Sequence, residues 1–435
     1  MILFYTSVPR SFRTTLIGHL YELASQYPVV LLSEKLDQFT EEIVKNKKLF
    51  PGLEKIIPVH QHTEEKASLL RRNRELSRLA KEVIHRYKPK AIIVANDLYL
   101  FEMYLFREAK KVGAVNIAIQ AALSAFPGQS AKWITLGEAH LRLPRFLPLP
   151  LRLNLIKTRR LIGHFFYYWL LPLANFQGPF FGKSSHILLK GESGMRDASY
   201  QTVFNKREWD IYSKNGVPEK KLIILPHPLL TSKKFFDNFL SSPLQTLPRE
   251  KQKVALVLLP GDIEAGFRRN LFFISNERRL NSWRALLQLA QSVLPDWKII
   301  ISTHPATKNY EFLKQELESI SPKVKIMELN GPTETYLNVA DVIIGLPPSL
   351  STLLFAASLQ YPKKPILSLD PNRELMGDYY KDFPGIDYVT SKITLEEKLK
   401  LIRSGKYKKQ MPKLTQEGFK NTIELIQYAL KEKTK

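Results

Sequence analysis

The chain has 435 residues, carries 65 lysines and arginines against 41 aspartates and glutamates, and contains no cysteine. This length exceeds what one hydrophobic core ordinarily fills, so it predicts two domains of about 200 residues each. The formal net charge of +24 indicates an anionic partner, which could be a phosphorylated substrate, an acidic lipid or a nucleic acid. The absence of cysteine excludes disulfides, thiolate metal sites and a cysteine nucleophile, and is compatible with a reducing cytoplasm.

The first twenty residues lack the basic start, apolar run and small-residue cleavage site of a signal peptide. Residues Ile2 to Ser7 instead have the pattern of a buried strand. We therefore expect the mature chain to start at or near Met1 and the protein to be cytoplasmic.

Short apolar runs alternate with amphipathic helical patterns along the first half of the chain. The predicted strands are Ile2–Thr6, Val29–Leu32, Ala91–Ala95, Val115–Ile119, His186–Leu189 and Leu222–Leu225. Between them, Glu65 to Arg86 has apolar residues at helical spacing and a charged remainder, as in a helix covering a sheet. This alternation is typical of a parallel sheet with helices on its faces.

The second half repeats the rhythm after a polar, proline-containing stretch. Its predicted strands are Val254–Leu259, Lys298–Ser302, Val324–Leu329, Val342–Gly345 and Pro365–Leu369, with helices at Ser282–Val293, Tyr310–Ile320, Thr333–Val339 and Leu350–Ser358. We predict an α/β fold with two Rossmann-like, doubly wound domains facing a cleft. The predicted boundaries are 1–230 for the first domain, 231–253 for a linker, 254–410 for the second domain and 411–435 for a C-terminal helix that returns to the first domain.

A basic and apolar insert, residues 139–191, interrupts the first domain. It contains no acidic residue, and the aromatic stretch Phe165–Phe181 within it is broken by Pro172 and Pro179. It therefore falls short of the ~20 apolar residues that span a bilayer. Aromatic and basic side chains favour an anionic membrane surface, which predicts a peripheral position on the inner face of the cell membrane. The alternatives are a partly buried loop packed on its own domain, or a nucleic-acid contact, which ranks low because no recognised binding module is present.

Two motifs in the second half have the chemistry of an anion site. His304 and Pro305 follow a predicted strand, so the imidazole lies at the carboxyl edge where doubly wound sheets bind ligands. It could hydrogen-bond a phosphate or protonate a leaving phosphate, or it could simply cap the next helix. Ser349, Ser351 and Thr352 stand at the start of a later predicted helix, where hydroxyls and unpaired N–H groups bind anions. Ordinary capping by one serine is the alternative for these three residues.

With these residues in place, the chain resembles the bacterial GT-B glycosyltransferases of surface and capsular polysaccharide biosynthesis, including the sialyltransferase, Kdo-transferase and glycerophosphotransferase-like groups. The resemblance implies that His304, Pro305, Ser349, Ser351 and Thr352 bind a nucleotide-sugar donor. It also implies that Glu334 could hold a ribose hydroxyl, although a first-turn glutamate that stabilises a helix N-terminus is an equally good interpretation.

The first half carries the resemblance through Val94 to Leu123, in which Asp97 and Gln120 match residues that face the cleft in that family. The chain departs from the pattern at Ala121 and Ala122, where relatives have His-Gly. A general base or acceptor contact from that histidine is therefore missing, so another group acts as base or activity is reduced.

Candidate replacements lie in the loop after the second domain's first strand, where Asp262 and Glu264 could deprotonate an acceptor. A solvated loop is the alternative there. We assign possible catalytic roles to Asp97, Asp262, Glu264 and His304. Arg10, Arg13 and Gln120 are predicted to contact the acceptor, and His227 is interpreted as part of a structural turn.

No set of residues has metal-ligand spacing, so we expect no metal and no cofactor, with a CMP- or UDP-linked sugar as substrate. The sequence predicts a glycosyltransferase that moves the sugar to a polysaccharide or glycolipid acceptor. One alternative is a sugar-nucleotide 2-epimerase, whose substrate is free in solution. The other is an inactive relative that organises a polysaccharide assembly complex, suggested by Ala121 and Ala122.

Overall fold

The structure is a computed structural model, and its described residues are 1–6, 12–34, 36, 38–59, 69–95, 100–121, 197–214, 216–232, 234–236, 252–259, 276–303, 310–327, 333–346, 352–369, 385–409 and 418–433, with positions 148, 150, 151, 154, 155 and 158. Within these ranges the chain divides into two compact units. The first unit comprises Met1–Lys233 together with Gln416–Lys435, and the second comprises Lys234–Thr415.

The first unit is built on a seven-stranded parallel sheet with strand order β3-β2-β1-β4-β5-β6-β7. The strands are β1 Ile2–Thr6, β2 Val29–Ser33, β3 Leu53–Pro58, β4 Ala91–Val94, β5 Val115–Ala118, β6 Tyr200–Val203 and β7 Leu222–Ile224. The helices are α1 Ile17–Ala24, α2 Gln38–Val44, α3 Leu69–Tyr87, α4 Leu100–Lys111, α5 Lys206–Lys214 and α6 Pro228–Thr231. A π-helical turn, Phe12–Leu16, leads directly into α1.

The second unit repeats this plan on a six-stranded parallel sheet with order β10-β9-β8-β11-β12-β13. The strands are β8 Val254–Leu258, β9 Lys298–Ser302, β10 Val324–Ile326, β11 Val342–Gly345, β12 Ile366–Leu369 and β13 Asp387–Val389. The helices are α7 Asn276–Val293, α8 Tyr310–Glu318, α9 Thr333–Val339, α10 Thr352–Gln360 and α11 Lys392–Arg403. A last helix, α12 Thr422–Lys433, packs in the first unit against α1 and β5.

Two doubly wound parallel sheets confirm the predicted fold class, that of two Rossmann-like domains. In each sheet the strand order reverses beside the first strand, between β1 and β4 and between β8 and β11. Ligands of such sheets bind outside the carboxyl ends of the strands at this reversal. We therefore expect a ligand site at the carboxyl edge of each sheet.

The central strands are apolar on both faces because helices cover both sides of a parallel sheet. In β1, Leu3 and Tyr5 pack with α3 and α4, whereas Phe4, on the other face, meets Phe12 with ring centroids 6.4 Å apart. Trp283 of α7 is fully buried in the corresponding core of the second unit. Each unit therefore has its own hydrophobic core.

Candidate functional site at the carboxyl edges of the two sheets

Polar side chains are buried at the carboxyl edge of the first sheet. Thr6 ends β1 and pairs in register with Ser33, which ends β2. Thr202 of β6 is also buried, at 1% exposed, and its Oγ1 accepts the backbone N–H of Gln120 at 3.1 Å. The carboxyl edge of the first sheet therefore presents buried hydrogen-bonding groups.

Gln120, predicted to contact an acceptor, is 1% exposed and uses both ends of its amide within the first unit. Its Oε1 accepts the backbone N–H of Phe204 at 2.8 Å, and its Nε2 donates to Glu208 Oε2 at 2.6 Å. Glu208 is fully buried and receives a second contact, from Arg207, at 2.9 Å. The amide of Gln120 therefore ties the end of β5 to α5, and the acceptor-binding role stays a prediction.

The residues that depart from the resembled pattern sit beside a buried histidine. The carbonyl of Ala121 accepts from Thr15 Oγ1 at 3.2 Å, and the same hydroxyl lies 3.2 Å from His227 Nε2. His227 precedes α6 and accepts the Leu229 N–H at its Nδ1, so it acts as the N-cap of that helix. Because Nδ1 is an acceptor, the neutral ring carries its proton on Nε2 and donates it to Thr15.

Burial lowers the pKa of His227 to about 3, and the nearby His19 adds to the lowering. The His227 ring is therefore neutral at physiological pH, and it connects Thr15 to the start of α6 through its two hydrogen bonds. The cap agrees with the interpretation of His227 as part of a structural turn. Sequence reasoning missed its link to Thr15, since the two residues are 212 positions apart.

At the carboxyl edge of the second sheet, four neighbouring strands end at the same level. Ser302 of β9 pairs in register with Leu258 of β8, which pairs with Gly345 of β11, which pairs with Ser368 of β12. Ser368 is fully buried, and its hydroxyl makes no hydrogen bond to any residue in the described ranges.

Ser302 joins this edge to the beginning of α9. Its Oγ lies 2.6 Å from Thr333 Oγ1, and Ser302 is 6% exposed. The chain continues from β9 through Thr303, also buried, towards the predicted donor-binding residue His304. Thr333 in turn precedes Glu334, so this hydrogen bond fixes the backbone next to two predicted site residues.

Most of the predicted site residues lie outside the described residues. These are Arg10, Asp97, Asp262, Glu264, His304, Pro305, Ser349 and Ser351, and nearly all of the insert 139–191. For three others the structure gives a backbone position: Arg13 lies in the π-helical turn, Glu334 in α9, and Thr352 is the first residue of α10. Their catalytic and binding roles stay predictions.

Among the described residues, no group of three histidine or carboxylate side chains is placed to hold a metal ion. No helix within them has both the length and the hydropathy needed to cross a membrane.

The fold of this chain is similar to the folds of several solved structures. No protein-family model matches the chain, and no curated protein sequence does so. Among solved structures, a putative UDP-N-acetylglucosamine 2-epimerase from Listeria monocytogenes has a TM-score of 0.59 at 9% identity, covering 100% of this chain and 96% of that one. The UDP-GlcNAc 2-epimerase of Neisseria meningitidis bound to UDP-GlcNAc has a TM-score of 0.58 at 12% identity, covering 99% of each chain.

A glycosyltransferase from Rickettsia africae is also similar, with a TM-score of 0.50 at 10% identity over 100% of this chain and 93% of that one. At such identities the likeness concerns fold, and the fold is GT-B-like. Since the alignments run over nearly the whole of both chains, both Rossmann-like domains take part in the likeness.

Proposed function

We propose that the protein is an enzyme that acts on a nucleotide sugar, and that the reaction is epimerisation at C2 of a UDP-N-acetylhexosamine. The supporting observation is the near full-length likeness to UDP-GlcNAc 2-epimerases, one of which is bound to UDP-GlcNAc. Fold alone does not assign chemistry. The proposal therefore also draws on the side chains that the sequence places at the carboxyl edges of the sheets.

The nucleotide's phosphates would bind at the edge of the second sheet. His304, with Pro305 shaping its loop, and the hydroxyls of Ser349, Ser351 and Thr352 are the proposed phosphate ligands, and Glu334 is the proposed ribose ligand. The Ser302–Thr333 hydrogen bond supports this assignment, because it holds the segments carrying His304 and Glu334 next to each other. The net charge of +24 favours an anionic substrate of this kind.

Inversion at C2 breaks a C–H bond and remakes it from the other face of the sugar ring, so the reaction needs a base and an acid. Asp97, Asp262 and Glu264 are the proposed carboxylates for these two tasks. The electron pair released at C2 would expel the UDP phosphate from C1, and His304 is the proposed acid that stabilises the charge on that phosphate. The C1–O bond would re-form as C2 takes a proton from the other face, so the nucleotide sugar is regenerated. Arg10, Arg13 and Gln120 would then line the sugar-binding side of the site.

The decisive experiment incubates the purified protein with UDP-GlcNAc alone and follows the sugar's C2 configuration by proton NMR. Appearance of the C2 epimer, with its loss in Asp97→Asn and His304→Ala, is the expected result. Lys45→Gln, which alters an exposed residue directly after α2, serves as the matched control and should keep wild-type activity. UDP-GlcNAc that binds in calorimetry but is never converted would overturn the epimerase proposal while leaving the nucleotide site standing.

Glycosyl transfer is the second candidate, favoured by the Rickettsia africae likeness and by the basic insert. The sialyltransferase, Kdo-transferase and glycerophosphotransferase-like groups are the finer form of this proposal, with a glycan or glycolipid acceptor and a CMP- or UDP-linked donor. Release of the nucleotide only when a glycan acceptor is present would support it. Binding of nucleotide without any turnover would instead favour the assembly-scaffold alternative.

Attachment to an anionic membrane through residues 139–191 is a separate proposal, and it accompanies glycosyl transfer to a lipid-linked acceptor. Flotation with phosphatidylglycerol vesicles, compared with vesicles of phosphatidylcholine alone, tests it. Co-flotation that disappears in high salt is expected, because exposed charges are screened. Equal recovery with both lipids would contradict an electrostatic attachment.

A further inference from the structure

Glu22, on α1, is a carboxylate that receives hydrogen bonds from two distant parts of the chain. It is 7% exposed. Its Oε1 accepts from the hydroxyls of Thr231 and Ser232, the latter at 2.7 Å. Its Oε2 accepts from the backbone N–H and the hydroxyl of Thr422, at 2.8 and 2.6 Å. All four of these donors are neutral groups.

The donors stand where the chain leaves and re-enters the first unit. Thr231 and Ser232 are the last residues before Lys233, at which the first unit's main segment ends. Thr422 begins α12, six residues after the chain returns to this unit at Gln416. One side chain therefore holds both connections between the units at their first-unit ends.

Thr422 is held further by a neighbouring residue of α1. Its hydroxyl donates to Glu22 and therefore accepts from His19 Nδ1, at 2.7 Å. Thr422 is fully buried, and the side chain of Asn421 caps α12 by accepting the Glu424 N–H at 3.0 Å. The start of α12 is thus fixed from both directions.

Holding two segments together with a buried carboxylate carries a desolvation cost. Removing a carboxylate from water is unfavourable unless its oxygens are well satisfied, and an apolar contact of the same size would serve stability as well or better. The carboxylate instead fixes the positions of both segments, because each of its oxygens accepts hydrogen bonds from defined donors. The arrangement therefore suits a site at which two distant segments must keep a fixed position on α1.

We propose that Glu22 is a clasp that fastens the end of α6 and the start of α12, the two places where the interunit connections leave and rejoin the first unit. The clasp acts on both connections at once, since each carboxylate oxygen serves one of them. This role is independent of the proposed enzymatic activity and requires no ligand.

Hydrogen exchange measured by mass spectrometry tests the clasp on the full chain. Glu22→Gln keeps the size of the side chain but replaces one acceptor oxygen with an NH₂ group that cannot accept. Exchange in residues 228–232 and in 422–433 is expected to rise together by about tenfold or more. Glu41→Gln, at a half-exposed carboxylate of α2, is the matched control and should leave both segments unchanged.

A second variant keeps the proposal testable if Glu22→Gln does not fold. Ser232→Ala removes one donor and leaves the carboxylate in place. Because Ser232 and Thr422 share that carboxylate, exchange in 422–433 should also rise, and the effects of Ser232→Ala and Thr422→Val should be non-additive. A rise confined to the segment that carries each substitution, with additive effects, would overturn the clasp.

Discussion

Two buried histidines of the first unit, His19 and His227, make its stability depend on pH. Burial lowers the pKa of His19 to about 4, against the opposing effect of Glu22, and that of His227 to about 3. Both folded-state values lie below the unfolded value of about 6.5. As pH falls below 6.5, the unfolded chain binds protons that the folded chain does not, so the free energy of unfolding falls.

The expected slope is about 1.4 kcal/mol per pH unit for each histidine, continuing down to about pH 4 for His19 and about pH 3 for His227. Urea unfolding at about pH 7.5 and about pH 5.5 measures it. His227→Asn keeps a capping side chain on α6 but should remove about half of the histidine-dependent loss between these two pH values. An unchanged pH dependence in this variant would contradict the neutral state of the His227 ring.

Because Gln120 and Glu208 are hydrogen-bonded, the effect of substituting Gln120 on stability should depend on the residue at position 208. Gln120→Glu places a second carboxylate against a fully buried one, which should destabilise the first unit by about 3 kcal/mol. Adding Glu208→Gln should restore part of this loss, because the new amide can donate to the new carboxylate. The control Gln26→Glu lies at an exposed position, and its free energy of unfolding should stay within about 0.5 kcal/mol of wild type. Urea unfolding of all these variants measures the differences.

Among the elements, α12 depends on one glycine at its approach. Gly418 has φ +86°, and a Cβ atom there would lie 2.2 Å from the carbonyl oxygen of Ile224. Gly405 has a similar φ of +70° with no atom within 4 Å of its Cβ position. Gly418→Ala should therefore cost about 3 kcal/mol and Gly405→Ala about 1 kcal/mol, since only the first combines a strained φ with a backbone clash.

Thermal unfolding of the two alanine variants measures this difference. Equal shifts would show that the close approach of Gly418 to β7 does not matter to stability. Because Gly405 lies in the second unit, exchange data on the two variants should also place their effects in different units.

The elements that sequence predicted well are the buried central strands. Ile2–Thr6, Lys298–Ser302 and Val342–Gly345 have the predicted bounds, because their continuous apolar runs stand out against polar flanks. The prediction omitted the edge strands β3 and β13 and the polar strand β6. β3 has Glu54 and Lys55 exposed to solvent, so its composition does not separate it from a loop.

The candidate site was less accessible to sequence reasoning than the fold. Motifs place residues at strand ends, as with Ser302 before His304, but they do not reveal which side chains pair across the chain. Glu208 lies 88 positions from Gln120, and no local pattern marks either residue as the other's partner. Long-range pairing depends on the complete tertiary structure.

At the scale of the molecule, the first unit needs the last helix of the chain. Thr422, Leu425, Ile426 and Ala429 of α12 are buried there, and the two aliphatic side chains alone should contribute about 3 kcal/mol or more. A chain ending at Thr415 should therefore lose protection from exchange in β1 to β5. Strands β8 to β12 should keep theirs, because α12 belongs to the other unit; uniform loss in both sheets would contradict separate cores.

The discontinuous first unit has a consequence for biosynthesis. Its N-terminal 233 residues emerge from the ribosome long before α12, and the 182 residues from Lys234 to Thr415 must be translated in between. At typical bacterial to eukaryotic elongation rates this interval is roughly 10 to 40 seconds. During that time the nascent first domain lacks its closing helix, so we expect a prematurely terminated chain to expose an unfinished domain to proteolysis.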